Sequence, residues 1–473
     1  MKYNLNHFFE PSSIAVIGAS RDPNSVGQSI LVNLTKGGIF QSEYCKPFKG
    51  RIYPVNPNAE KILGLECYPN LKSIDDDIDL AIVAVPPKII LEVIKDCITK
   101  KVRAIIVVTS GFSELGKVGE KMQEKLTELV TRAKIPMLGP NCLGILRPYT
   151  NLNASFSLSM PPEGDIAFIS QSGAIVDSII DWAIDKRYGF SALVSYGNKA
   201  VLDVTDFLEW FENDQHTKAI AIYCEGITDG RRFIEAAKKV SQKKPIVLIK
   251  AGRTKAGERA AASHTGSLAG SYEIYKAAFK QSNVFVADNI EELFDLSKAL
   301  ASLPFCRENS IGIVTNGGGV GVLCADYCEE YGVNIAELDK SLLKKLDKVM
   351  PAAYSRSNPL DIVGDALPDR YRNAINLLLE DKKINGLIVI QTLQSVTKAD
   401  ENAQAVVEAR HKFPDKPIVC VFMGGRFVSR ATYILHKNNI PNYNDVKKAV
   451  KAMKALIERK NQIETKQNTK TSK

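Results

Sequence analysis

Histidine is scarce in this chain, with His7, His216, His264, His411 and His436 the five among 473 residues. Cysteine is present but unorganised: nine are scattered, mostly in apolar stretches and with no CxxC pair. That excludes a disulfide framework or thiolate zinc site and predicts reduced core thiols in a cytoplasmic protein. No apolar run approaches the ~18 residues needed to cross a bilayer, and the opening MKYNLNHFFEPSS has no apolar signal region. Neither membrane insertion nor secretion is expected. A spread-out excess of one charge is missing too. Of the net +9, +7 falls in residues 447–473, where nine Lys/Arg face two Asp/Glu. That basic end reads as a solvated helix face followed by a polar tail over 461–473, and no nucleic-acid partner is expected.

What is present is an ordinary globular composition, 45% hydrophobic and 24% charged, with length for about three domains. From Ile14 onward, Val- and Ile-rich runs alternate with amphipathic stretches, the pattern of parallel strands joined by crossover helices. A first set reads IAVIG (14–18), RIYPV (51–55), LAIVAV (80–85), AIIVVT (104–109) and PMLG (136–139). After the connector NASFSLSMPPEG come DIAFIS (165–170), FSALVS (190–195), KAIAIYC (218–224), PIVLIK (245–250) and NVFVA (283–287). A third set reads IGIVTN (311–316), VNIAEL (333–338), GLIVIQT (386–392) and PIVCVFM (417–423). The reading is an α/β protein of three doubly wound domains, 1–150, 151–305 and 306–460, with a polar tail over 461–473. IAFISQSGAIVDS (166–178) aligns without gaps on IGIVTNGGGVGVL (311–323), sharing Ile166/Ile311 and Gly173/Gly318. Descent from a common unit or the shared strand-turn-helix geometry both explain that.

The first strand runs into GASRDPNSVG (18–27). Small residues at Gly18, Ala19, Ser20 and Gly27 let a ligand approach the backbone, and the helix starting near Val26 offers free N–H groups to a phosphate. Arg21 adds a cation. A dehydrogenase would show GxGxxG and a carboxylate ending the second strand; here that strand ends in Val55 and Asn56. Further turns lie after the next strands, with Val85 and Pro86, then Ser110 and Gly111, then Asn141 within GPNCLG. They can line the same crevice, or be ordinary turn chemistry. Cys142 reads as a lining residue.

His264 alone among the histidines sits in a small-residue setting, AAASHTGSLAG. An exposed imidazole accepts a phosphoryl group on one nitrogen if a carboxylate holds the other N–H. Glu225, just after a strand, is the candidate carboxylate; an exposed loop acid is the alternative. Two turns offer helix N–H groups to the phosphate: Ser170, Gln171, Ser172 and Gly173, and then Gly317, Gly318 and Gly319. Two ordinary strand-to-helix turns would look the same.

Taken together, GASRDPNSVG, PVNPN, VPP, SGFSE, GPNCLG, SQSGA, CEG, KAGRT, SHTGSLAG and TNGGGVG resemble the alpha subunit of NDP-forming acyl-CoA synthetases of the acetate-CoA ligase (ADP-forming) type, in the succinyl-CoA synthetase superfamily. The resemblance covers about residues 8–458. It implies a Rossmann-like CoA-binding domain followed by two flavodoxin-like domains, with His264 as the phosphorylated residue and Glu225 as its partner. The implied CoA contacts fall on Gly18, Ser20, Arg21, Val26 and Gly27, on Val55 and Asn56, and on Pro86, Ser110, Gly111 and Asn141. It also implies an ATP-grasp beta subunit, in an α2β2 assembly, holding the nucleotide (ATP or ADP) and Mg²⁺; no metal site is expected on this chain. The alternatives are a CoA-binding regulatory protein without turnover and a nicotinamide-dependent dehydrogenase.

Overall fold

Val and Ile runs become parallel strands buried on both faces, as happens where crossover helices cover a sheet on either side. This computed structural model describes residues 3–470 apart from Arg187 and residues 266–270; the side chains of 262–265 and 464–470 are also outside the description. It comprises two compact units, Met1–Val286 and Ala287–Lys473.

The first unit holds a small two-stranded sheet, Lys61–Ile62 with Leu65–Glu66, and two large ones. One has five strands in the order Arg51–Val55, Ser13–Ile17, Leu80–Val83, Ala104–Val107, Met137–Leu138, every neighbouring pair parallel. Chain order reverses between Ser13–Ile17 and Leu80–Val83, so a crevice opens at their carboxyl ends. The other has seven strands, in the order Val284–Val286, Ile246–Lys250, Ala219–Cys224, Glu163–Ser170, Phe190–Ser195, Gly144–Arg147, Leu152–Ser155. Its last two form an antiparallel hairpin that the sequence pattern did not predict, paired through Leu146 to Leu193. This sheet therefore begins at Gly144, ahead of the boundary expected near 150. One apolar core runs through both sheets, from Ile14 and Leu34 through Ala154 to Ile169 and Phe207. The buried Asn33 side chain donates from the first domain's helix to Ser155 O (2.9 Å) and Ser157 O (2.8 Å), tying that helix to the hairpin.

In the second unit, four parallel strands run in the order Leu360–Asp361, Ile311–Thr315, Gly386–Gln391, Ile418–Phe422. The strand expected at 333–338 does not form; a single bridge joins Ile335 to Ile311. Asn358 takes over part of that pairing, donating to Ile311 O and Ala336 O (both 2.9 Å) and accepting from Ile313 N (2.9 Å). The helix Val446–Lys470 runs on into the polar tail. Lys, Gln and Glu propagate a helix, and no Gly or Pro interrupts it. No described helix is long and apolar enough to cross a membrane.

Candidate functional site

Hydrogen bonds set the turns at the carboxyl edge of the first sheet side by side. Gly18 N–H donates to Val55 O (3.1 Å), Ala84 N–H to Ile17 O (2.8 Å), Thr109 Oγ1 to Val85 O (2.8 Å) and Asn141 N–H to Thr109 O (2.9 Å). Gly18 has φ +90°, and a Cβ there would lie 2.3 Å from Ala84 O; a Cβ on Gly27 would lie 2.0 Å from Gly18 O. Only glycine allows the helix Val26–Lys36 to start this close to the strand end, as a phosphate-binding turn requires. Asn56, where a dehydrogenase has its carboxylate, donates to Ala19 O at 2.7 Å and braces the turn. Arg21 reaches Asn58 O at 3.2 Å. Ala19, Gly27, Val55 and Val85 are buried, Ser20, Asn56, Gly111 and Asn141 are half-buried, and Arg21, Val26, Pro86 and Ser110 are exposed. Cys142 is buried, and burial drives its thiol far up. A neutral lining group suits it better than a nucleophile.

A cleft of about 960 Å³ joins this edge to the second sheet. Its walls include Asn141 and Cys142 from one side and residues 171–174, 197–199 and Glu225 from the other. Ser170, the last residue of its strand, donates from Oγ to Ser172 O (2.7 Å) and accepts from Ser172 N–H (3.1 Å), which closes the turn into the helix Gly173–Lys186. Gln171 is 8% exposed, and its Oε1 accepts Glu225 N–H at 3.0 Å and Gly226 N–H at 3.2 Å. Glu225 is itself 9% exposed, so the solvated loop acid allowed by its sequence is not what the structure contains.

The helix Lys255–Thr265 carries His264 and passes against the turn Ser113–Leu115 of the first domain. It follows the strand Ile246–Lys250, neighbour of Ala219–Cys224, so its backbone belongs to the edge where Glu225 sits. The His264 side chain and the Gly266 to Gly270 segment lie outside the described residues.

Sequence reasoning missed the loop 197–199. Gly197 (φ +54°) allows close contact; a Cβ there would meet Asn141 O at 2.2 Å. Asn198 donates from Nδ2 to Glu114 Oε2 (2.6 Å) and Gln123 Oε1 (3.0 Å) and accepts from Asn141 Nδ2 (3.2 Å). Glu114 also accepts Gly111 N–H at 2.5 Å. Burial alone would raise the Glu114 carboxyl, but these bonds outweigh it and hold it below the usual carboxylate range. YGNK follows a strand, as the other turns do, and that was the available signal.

In the second unit, Thr315 Oγ1 donates to Gly317 O (3.0 Å) and accepts Gly317 N–H (3.0 Å), the same closure that Ser170 makes with Ser172. Asn316 Oδ1 accepts Thr392 N–H at 2.7 Å, as Gln171 accepts Glu225 N–H at the end of its neighbouring strand. The helix Gly318–Tyr331 starts there. A Cβ on Gly318 would lie 2.7 Å from Asp361 Oδ2, whereas Gly319 has open space. The aligned segments thus share hydroxyl and amide roles beyond their two identities.

Three family profiles match in succession: a CoA binding domain over residues 12–148, a succinyl-CoA ligase like flavodoxin domain over 163–300 and a ligase-CoA domain over 311–461. The acetate–CoA ligase (ADP-forming) II subunit alpha of Pyrococcus furiosus is 40% identical, with 96% of this chain and 97% of that one covered. An acetate–CoA ligase (ADP-forming) I of Archaeoglobus fulgidus is also 40% identical over 96% of this chain, which spans 63% of that longer protein. Among solved structures, the Candidatus Korarchaeum cryptofilum dinucleotide-forming acetyl-coenzyme A synthetase 1, in complex with phosphate and ADP, superposes with a TM-score of 0.91 at 38% identity, covering 98% of this chain and 99% of that one.

Proposed function

Because the chain belongs to the ADP-forming acetate–CoA ligase family, we propose that it is the CoA-binding, phosphohistidine-carrying subunit of an acyl-CoA synthetase, with acetate the default acid. The observation that carries this reading is the cleft that Asn141, at the end of the CoA-side turns, lines from one side and Gly173 and Glu225 from the other. A phosphate oxygen bonds to the thioester carbon as the C–S bond breaks, and CoA leaves as thiolate and takes up a proton. A ring nitrogen of His264 then bonds to phosphorus as the P–O bond to the acyl group breaks, releasing the carboxylate. Glu225 holds the other ring N–H. The Gly173 helix start stabilises the phosphoryl oxygens in this unit, and the Gly318 turn is the second phosphate-binding element. CoA lies over Gly18 and Gly27, where a Cβ would close the turn.

The phosphoryl group passes to ADP on a separate ATP-grasp beta subunit, which also supplies the Mg²⁺ site, in an α2β2 assembly. The near end-to-end match to a relative named as an alpha subunit supports this division. The proposed domains are 1–150, 151–305 and 306–460; the 144–155 hairpin crosses the first of these boundaries and pairs with the second sheet.

Radiolabelled acetyl phosphate, given to the chain alone and with a candidate beta subunit, tests the reading. Acid-labile, base-stable label is expected on the wild type and not on His264→Asn. Label retained by that variant, or none on either protein, overturns it.

A further inference from the structure

Five acids, Glu120, Glu124, Glu128, Asp177 and Glu225, line the cleft, yet on the reading above it must admit a phosphate dianion. One cation is found among its described lining residues, Lys199. We infer that Lys199 Nζ is a further catalytic group, pairing with the phosphoryl oxygens of phosphate and of the acyl phosphate formed from it. The inference rests on the proposed ligase function and names a residue that function did not require.

Three observations carry it. First, Lys199 is held at φ +51°, a backbone region strained for a residue with a side chain. The strain is maintained by its neighbours: Gly197 is pinned on Asn141, Asn198 N–H donates to Pro140 O (2.9 Å) and Ala200 N–H to Gly139 O (3.1 Å). A loop fixed on both sides aims a long side chain into the cleft. Second, Nζ donates to Gly226 O at 2.7 Å, directly beside Glu225. An ammonium has three donors, so this bond locates the charge at the phosphoryl site and leaves donors for a ligand. Third, the other nearby lysine is occupied. Lys250 is 1% exposed, with its ammonium 4.6 Å over the Tyr275 ring. Lys199 is half-buried and faces the cavity.

During transfer, charge spreads over the phosphoryl oxygens, where a fixed ammonium is worth most. Lys199→Asn tests this, since Asn tolerates positive φ and removes the charge. Labelling by radiolabelled acetyl phosphate is expected to slow by roughly 100-fold. The KM for inorganic phosphate in acetyl-CoA cleavage by the full complex is expected to rise, with CoA affinity, measured calorimetrically, unchanged. The two assays separate acyl phosphate from free phosphate as the ligand; either defect supports the inference. Lys199→Arg is expected to recover much of the rate. Wild-type rates and phosphate dependence in Lys199→Asn overturn it, and so does joint loss of CoA binding and labelling, the mark of a structural residue. A labelled wild type with a Lys199→Asn that matches it in both labelling rate and phosphate KM removes only this inference; an unlabelled wild type removes the proposed function with it.

Discussion

Gln171 Oε1 accepts the backbone N–H of Glu225 at 3.0 Å, and thereby fixes where that carboxylate leaves its strand. The same oxygen takes Gly226 N–H and, at 3.4 Å, the Tyr196 hydroxyl. Gln171→Leu removes the acceptor from buried donors. It is expected to lower unfolding free energy by about 2 kcal/mol in urea titrations, and to reduce the phosphoenzyme level more than an equally destabilising core substitution does.

A Cβ on Gly27 has no room against Gly18 O. In Gly27→Ala the helix Val26–Lys36 must shift away from the strand end, and the N–H groups of its first turn move with it. Calorimetry is expected to show CoA affinity lowered by about tenfold or more, equivalent to about 1.4 kcal/mol, with the far-UV circular dichroism retained.

Arg147 and Asp214 form a two-pronged ion pair, 2.7 and 3.0 Å, with side chains 1% and 5% exposed. Burial by itself raises the Asp214 carboxyl, but hydrogen bonds from Arg147 and Thr217 outweigh it and hold it below the usual carboxylate range. A carboxyl depressed in the folded state contributes stability that is complete above its unfolded value, about 3.9, and lost as pH falls through the folded one. Asp214→Asn strands a buried guanidinium and is expected to cost about 3–5 kcal/mol at neutral pH. The gap between wild type and variant is expected to be flat above about pH 5 and to narrow below about pH 4 in denaturation series.

Cys45 alone among the nine cysteines is only half-buried. Burial raises its thiol, but contacts with Ser159 Oγ (3.3 Å) and Ser42 Oγ (3.5 Å) outweigh that and lower it. Burial pushes Cys97 up to about 12. A thiol reagent applied to native protein is therefore expected to modify Cys45 first, read by peptide mass, and the other eight only after unfolding.

Elements with a strong periodic signal were legible in the sequence. Long Val/Ile runs such as 80–85 and 386–392 could only be buried strands, and glycines in the 18–27 turn announced a close backbone approach. The hairpin Gly144–Arg147 and Leu152–Ser155 carries Arg147 and Asn153 inward, so alternation gave no warning of it. VNIAEL has strand composition but lost part of its pairing to the Asn358 side chain, a contact across more than twenty positions that no local pattern encodes. In the site, Glu225 and Gln171 were visible because each ends or follows a strand. Asn198 and Lys199 acquire meaning only once Asn141 and Glu114 are brought to them from the other sheet.

The hairpin that straddles the end of the first family profile, at residue 148, also constrains how such proteins can be recombined. Its residues follow the CoA-side turns directly, yet they extend the sheet that bears Glu225, and Asn33 from the other side grips its return strand. A graft that joins a new CoA module at residue 150 would import half of a hairpin from one parent and half from the other. Crossovers that respect the fold must keep residues 144–155 together with the sheet they extend, and must match residue 33 to it as well.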